Sequence, residues 1–236
     1  MISPTGRPWL DELAAATDQF RAAVASAEHD DALSTKIVAC PGWDLRDVAI
    51  HLGQTHLWAT GILGGADPRQ RSQGEPDQGE GLSEWYAAQA ETLRKALAEA
   101  GPDAPCWTLV KEQRTALFWQ RRQVHETIVH LWDAGSALGQ STGIDPALAL
   151  DGVAEVAEVM YPRMLRAGRI QPLPKNLVLT ATDLDAEPVC IGEASETIEV
   201  RARADELLLL IWHRTPWDPS YGDPEAAALI SQSLVP

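Results

Sequence analysis

The chain is poor in cysteine. Its three, Cys40, Cys106 and Cys190, lie far apart, and no Cys-x-x-Cys occurs. That spacing argues against a cysteine zinc cluster, and an odd count does not suggest a disulfide framework. Basic residues are also scarce: 19 Lys and Arg stand against 34 Asp and Glu, for a formal charge of −15. A chain this acidic, without a basic stripe, suits neither a phosphate backbone nor an anionic membrane surface. No apolar run is long enough to span a bilayer. Met1 to Arg7 lack the charged and apolar regions of a signal sequence. A soluble cytoplasmic protein is expected, with no nucleic-acid or membrane partner. Catalytic signatures are missing too. Gly61, Gly64 and Gly65 follow no strand and form no phosphate-binding fingerprint, and no Ser-His-Asp pattern stands out.

What is present is a sizeable apolar fraction, 45% of 236 residues, enough for one large domain or two small ones with a real core. The first two-thirds reads as helix. From Trp9 to about Ala27, Leu10, Leu13, Ala14, Thr17, Phe20 and Val24 recur at helical intervals behind Pro8. Asp44 reads as the N-cap of a second helix, with Asp47 in its first turn and an end near Gly61 to Gly65. Residues 64–82, rich in Gly, Pro, Gln and acids, read as a mobile surface loop. Ser83 is placed to cap a third helix over 84–100, stopped by Gly101-Pro102. A fourth runs from about Thr115 to Leu138, and Asp145-Pro146 opens a fifth that reaches about Ala167.

The pattern changes after Gly168. Pro172 and Pro174 mark a linker. Leu177 to Thr182, Val189 to Ile191 and Glu196 to Arg201 read as strands. Asp205 to Trp212 reads as a helix, and Asp223-Pro224 opens a last one. The expected class is α+β: an antiparallel helical bundle over 1–168, then a small α+β domain over 169–236.

The chemistry-bearing residues lie in the helical part. Glu126 and His130 are four apart, so a helix sets them one turn above each other on one face. The run His125-Glu126-x-x-x-His130 is not the zincin motif, which needs His-Glu-x-x-His. A histidine from the second helix would complete a three-ligand site with open positions, the catalytic arrangement. That helix offers His51 and His56, which lie roughly 140° apart and cannot easily serve one metal together. His56 and His125 are expected to be exposed or hydrogen-bonded, and His29 and His213 structural or exposed. Asp133, three after His130, suits either the other imidazole N–H or an ion pair with Arg121 or Arg122. Trp43, Trp58, Trp119 and Trp132 flank these segments and read mainly as core or wall. Cys40 is expected to pack in a turn.

Cys40-Pro41-Gly42-Trp43-Asp44, the helix with His51-Leu52-Gly53, and His125-Glu126-x-x-x-His130-Leu131-Trp132-Asp133-Ala134 together carry a resemblance. They resemble the mycothiol-dependent maleylpyruvate isomerase family of the DinB-like superfamily. Leu148 to Val153 and Ala204 to Trp212 extend the resemblance over nearly the whole chain. The resemblance implies a DinB-like four-helix bundle with His51 opposite Glu126 and His130, and a divalent metal, zinc in expectation, at those three. It implies mycothiol as a thiol cosubstrate and nucleophile, and maleylpyruvate as one substrate of the family. The Ala-rich, Arg-over-Lys composition fits a GC-rich actinobacterial source, which would supply mycothiol.

The expected function is therefore a metal-dependent isomerase that works through a low-molecular-weight thiol. The alternatives are a mycothiol S-transferase acting on an electrophile, and a non-enzymatic metal-binding or carrier protein. A small-molecule thiol and an electrophilic substrate are the expected partners, in a monomer or homodimer. No residue is assigned to catalysis or cofactor binding beyond the three ligands.

Overall fold

The structure is a computed structural model that describes residues 6–71, 73–232 and 234–236. Of the segment read for a leader, the part up to Thr5 lies outside the described residues. The chain is α+β, with a helical N-terminal part and a three-stranded sheet that begins only at Asn176. Its packing divides it into two compact units, one ending at Thr142 and the other spanning Gly143–Pro236. The composition change at 168/169 therefore does not coincide with the packing boundary. The segment after Pro146, read as the fifth bundle helix, belongs to the C-terminal unit.

Four helices make the first unit: α1 (Trp9–His29), α2 (Leu45–Leu63), α3 (Leu82–Ala100) and α4 (Ala116–Ala137). Helices α1 and α2 each pack principally on α3 or α4 rather than on each other. Phe20, Val24, Leu45, Val48, Leu52, Trp85 and Tyr86 form much of the shared core. Gly53 shows what close packing demands. A Cβ there would lie 2.3 Å from the Trp85 ring, so α2 and α3 approach this closely only because residue 53 has no side chain.

Helix α2 starts where the sequence places it. The Asp44 carboxylate accepts from the Asp47 N–H at 3.2 Å, and the Asp47 carboxylate accepts from the Asp44 N–H at 3.0 Å. This reciprocal cap satisfies two donors that the helix itself cannot. It fixes the helix start about two turns before His51.

The start of α3 differs from expectation. Gly81 is the N-cap, and Ser83 lies inside the helix. The cap comes from α1: the Glu28 carboxylate accepts from the Leu82 N–H and, at 3.0 Å, from the Ser83 N–H. A glutamate far away in sequence thus replaces the local serine. Partial burial pushes the Glu28 pKa up, but the bonds from Ser83 and Leu82 and the charge of Arg46 outweigh it and hold the carboxyl below its ordinary value.

The loops on either side of α3 are tied down by aromatic residues. Trp58 and Trp119 meet edge to face with centroids 5.1 Å apart, and Trp107 stacks on Trp119 at 6.3 Å. The Trp58 indole donates to the Pro68 carbonyl at 3.1 Å, and the Trp119 indole donates to the Trp107 carbonyl at 2.7 Å. The Arg71 guanidinium lies 3.8 Å over the Trp58 ring. Trp58 and Trp119 are therefore core residues that anchor connections.

In the second unit, α5 (Pro146–Glu155) runs through a π-helical turn (Val156–Met160) into α6 (Tyr161–Arg166). The Tyr161 N–H reaches the Val156 carbonyl five residues back, just before Pro162, which has no N–H to continue the ladder. Strands β1 (Asn176–Ala181), β2 (Val189–Ile191) and β3 (Thr197–Ala202) form a sheet in the order β2-β1-β3. Strand β1 is antiparallel to β2 and parallel to β3. The register pairs Leu177 with Ile191 and Ile198, and Leu179 with Val200, so the buried alternate residues share one face. Helices α5 and α7 (Ala204–Ile211) pack together, with contacts to β2 and β1 respectively, and α8 (Pro224–Ile230) reaches β3.

Replacing Glu28 with Ala removes both caps of α3 and should lower stability by about 0.5–2 kcal/mol. The sign of the pH effect follows from the lowered pKa. The stabilisation is present above the ordinary carboxylate value of 4.5 and is lost as pH falls through the lower folded value. Urea midpoints of both proteins between pH 7 and 3 would check this. The gap between them should narrow at the acid end.

Candidate metal centre

Helix α4 is unusual for the number of polar side chains it buries. Gln120, Arg121, Arg122, Gln123, His125, Thr127, His130 and Asp133 are all buried. Polar groups in such positions require partners. On one stripe of the helix, Arg122, Glu126 and His130 follow one another at four-residue steps, so each stands a turn above the last.

Helix α2 brings His51 to this stripe. His51 Nε2 lies 3.2 Å from Glu126 Oε1, and His130 Nε2 lies 3.7 Å from the same oxygen. The two imidazole rings meet edge to face at 5.2 Å. One ligand atom from each of His51, Glu126 and His130 falls within 4.8 Å of the others. The three residues singled out in the sequence are thus brought together. Imidazole nitrogen and carboxylate oxygen are the donors zinc and similar divalent cations accept, and three such donors leave positions open. The donor set fits a divalent cation.

The remaining atoms of the cluster are held from behind. Arg122 pairs with the second oxygen of Glu126. Burial opposes the Glu126 charge, but the Arg122 guanidinium and the bonds to His130 and His51 hold its carboxyl well below the usual range. On the other side, His130 Nδ1 lies 2.9 Å from Asp133 Oδ2. Burial disfavours a charged His130, yet the bonds to Asp133 and Glu126 outweigh it and raise its pKa. The spacing alone left Asp133 open between this imidazole and an arginine, and the structure sets it against the imidazole. Cys40 sits in the turn before α2, as expected, and its Sγ lies 3.8 Å from the same Asp133 oxygen.

The site is accessible from one side. The His51 side chain is 36% exposed, against 16% for Glu126 and 10% for His130. Trp43 lies beside that opening, with its ring 4.9 Å from the His51 ring. Of the four tryptophans thought to flank the site, Trp43 is the one whose ring packs on a candidate ligand, whereas Trp58 and Trp119 pack on Trp107.

The other histidines separate clearly. His29 and His213 are exposed. His125 is buried, with Trp9 edge-on at 5.7 Å. His56 is fully buried, so solvent exposure is excluded, and it is hydrogen-bonded on both nitrogens. Its Nδ1 lies 2.7 Å from Gln123 Oε1, and its Nε2 lies 3.2 Å from the Tyr86 hydroxyl. Burial raises the Tyr86 pKa well above normal, so the phenol keeps its proton and donates it. His56 therefore accepts at Nε2 and donates from Nδ1 to Gln123. Burial lowers its pKa to about 4, outweighing the bond to Gln123. Arg122 was not singled out as part of the site, although an arginine four residues before a helical glutamate is a readable signal. The Tyr86–His56–Gln123 chain joins three helices and has no such local signal.

His56 should make stability depend on acid. Its folded pKa lies below the ordinary 6.5, so between 6.5 and about 4 the unfolded chain takes up a proton that the native protein refuses. Stability present above 6.5 is then lost as pH falls toward 4, by up to about 3 kcal/mol. A His56→Leu variant should be weaker at neutral pH by about 1–3 kcal/mol, since Tyr86 loses its acceptor. Its denaturant midpoint should fall less steeply over the same pH range. An equal slope in both proteins would contradict the neutral, buried imidazole.

The fold and the sequence both have known counterparts. Two crystal structures, of a mycothiol-dependent maleylpyruvate isomerase and of a histidine-to-alanine mutant of that enzyme, are similar to this chain with a TM-score of 0.63. They share 14% and 13% sequence identity with it, and each match covers 89% of this chain and 91% of the other. Likeness at that identity is a likeness of fold. No curated protein matches the sequence. The sequence profile described as the mycothiol maleylpyruvate isomerase N-terminal domain matches residues 13–135, just over half of the 236 residues. That stretch holds all three residues of the His51, Glu126 and His130 cluster, and on this match the chain belongs to the mycothiol maleylpyruvate isomerase N-terminal domain family.

Proposed function

We propose that this protein is a metal-dependent enzyme that uses a low-molecular-weight thiol, mycothiol, as its nucleophile, and that it is an isomerase of the maleylpyruvate isomerase type. The carrying observation is the convergence of His51, Glu126 and His130 within 4.8 Å, open on the His51 side, in a chain of that family. Zinc is the proposed metal, which His51, Glu126 and His130 would hold. A divalent cation there would favour the deprotonated form of a thiol near neutral pH.

The protein's own groups have distinct tasks in this reading. Glu126 brings one negative charge, and Arg122 balances it, so the three ligands together with Arg122 add little net charge. A thiol and its electrophile would come in past His51 and Trp43, the exposed side. Trp43 offers a flat apolar wall there. The thiol sulfur adds to an activated cis double bond, the resulting single bond rotates, and the sulfur leaves again. Nothing is oxidised or reduced, and the thiol is regenerated. An electrophile with a leaving group would instead retain the sulfur, which is S-transfer.

Among the described residues no helix is long and apolar enough to cross a membrane. The cytoplasm is the proposed place of action.

A His130→Ala variant tests the assignment. Its zinc affinity should fall by more than the ~10–100-fold expected from losing an outer partner. Mycothiol-dependent turnover of maleylpyruvate should disappear while helical circular dichroism is kept, because apolar packing and not metal holds the bundle. In the wild type, isomer without adduct supports the isomerase, and adduct with an electrophile supports the S-transferase. Metal binding with neither product would favour a carrier. Full activity in a metal-free His130→Ala variant would refute the mechanism.

A further inference from the structure

We propose that Asp133 is a positioning residue for the ligand set: it holds the Nδ1 edge of His130, so that Nε2 is the nitrogen offered to the metal. The inference rests on the reading of His51, Glu126 and His130 as ligands, and it concerns a residue outside that trio.

The geometry carries it. Asp133 follows His130 by three residues on α4, so its carboxylate stands beside the ring. Its Oδ2 lies 2.9 Å from Nδ1, with the Asp133 side chain 0% and the His130 side chain 10% exposed, so water scarcely competes for this contact. An ionised carboxylate can only accept, so the proton of this bond sits on Nδ1. In the neutral imidazole the lone pair then lies on Nε2, which is the atom 3.7 Å from Glu126 Oε1. The Cys40 Sγ, 3.8 Å from the same Asp133 oxygen, is a neighbouring weak donor from the turn before α2.

Two consequences follow from general chemistry. An imidazole locked against a carboxylate loses no rotational freedom on binding a cation. The negative partner also makes Nε2 more basic, so it binds more tightly. Arg122 holds the far oxygen of Glu126 in a comparable way, so two of the three candidate ligands are gripped by a charge on α4 itself. His51, the most exposed of the three, packs instead on Trp43.

The test measures zinc affinity by competition with a chelator for wild type, Asp133→Ala, Asp133→Asn and His130→Ala. Ring nitrogen and proton resonances of histidine-labelled, zinc-loaded protein are recorded alongside. Asp133→Ala should bind zinc about 10–100-fold more weakly, with circular dichroism unchanged. The slowly exchanging Nδ1 proton of His130, present in wild type, should be lost. Asp133→Asn keeps an acceptor oxygen without the charge. It should retain the proton signal and bind more weakly than wild type, and it decides the matter if the alanine variant does not fold. Wild-type affinity in the Asp133 variants, alongside loss of zinc in His130→Ala, would overturn the role of Asp133 alone. Zinc retained by His130→Ala would overturn the ligand set, and this role with it.

Discussion

The Glu126 carboxylate is a negative charge placed where little water reaches it, and the site depends on how its two oxygens are divided. One faces Arg122, and the other faces both His51 and His130. An unpaired carboxylate in such a place would be strongly disfavoured, or would take up a proton and stop acting as a ligand. Arg122, one turn earlier on the same helix, supplies the balancing charge at a distance that helix geometry fixes in advance. The oxygen left over is therefore ionised, oriented and available, and it lies where an imidazole from a second helix can meet it.

The surrounding helices hold this arrangement in register. Helix α2 is fixed at its start by the Asp44–Asp47 cap and is pressed against α3 where Gly53 admits the Trp85 ring. One turn beyond His51, buried His56 ties α2 to α3 through Tyr86 and to α4 through Gln123. His51 and His56 thus divide the work of one helix. The first faces the open cluster, and the second is a neutral, fully bonded core residue. The five-residue spacing between them gives each its own face.

The C-terminal unit follows its own, simpler logic. Three short strands alternate apolar and polar residues, and the parallel register of β1 and β3 puts Leu177, Leu179, Ile198 and Val200 on one buried face. Helices α5 and α7 pack together with contacts to that sheet. Residues 146–166 carry a helical pattern with the same apolar character as the bundle helices, so nothing local tells which core they join. That is why the composition break at Pro172 and Pro174 does not coincide with the limit between the two compact units, which lies at Thr142 and Gly143.

Local rules determined much of this protein before any fold was known. Helical spacing set Glu126 and His130 on one face, Asp44 marked the start of α2, and alternation marked the three strands. Resemblance of motifs, not spacing, chose His51 over His56. Contacts between distant segments could not be read this way, because no periodicity encodes them. Glu28, a long side chain on a neighbouring helix, rather than Ser83, accepts from the free N–H groups at the start of α3. Trp58 and Trp119, near the site in sequence, turned to a separate aromatic cluster because their helix faces point there. Asp133 had three candidate partners on its own helix, His130, Arg121 and Arg122, and its side chain stands 2.9 Å from His130 Nδ1. Sequence fixes which groups share a helix face. Only the packing of one helix on another decides which of those groups meet, because that depends on side-chain shape and on where each buried charge finds its partner.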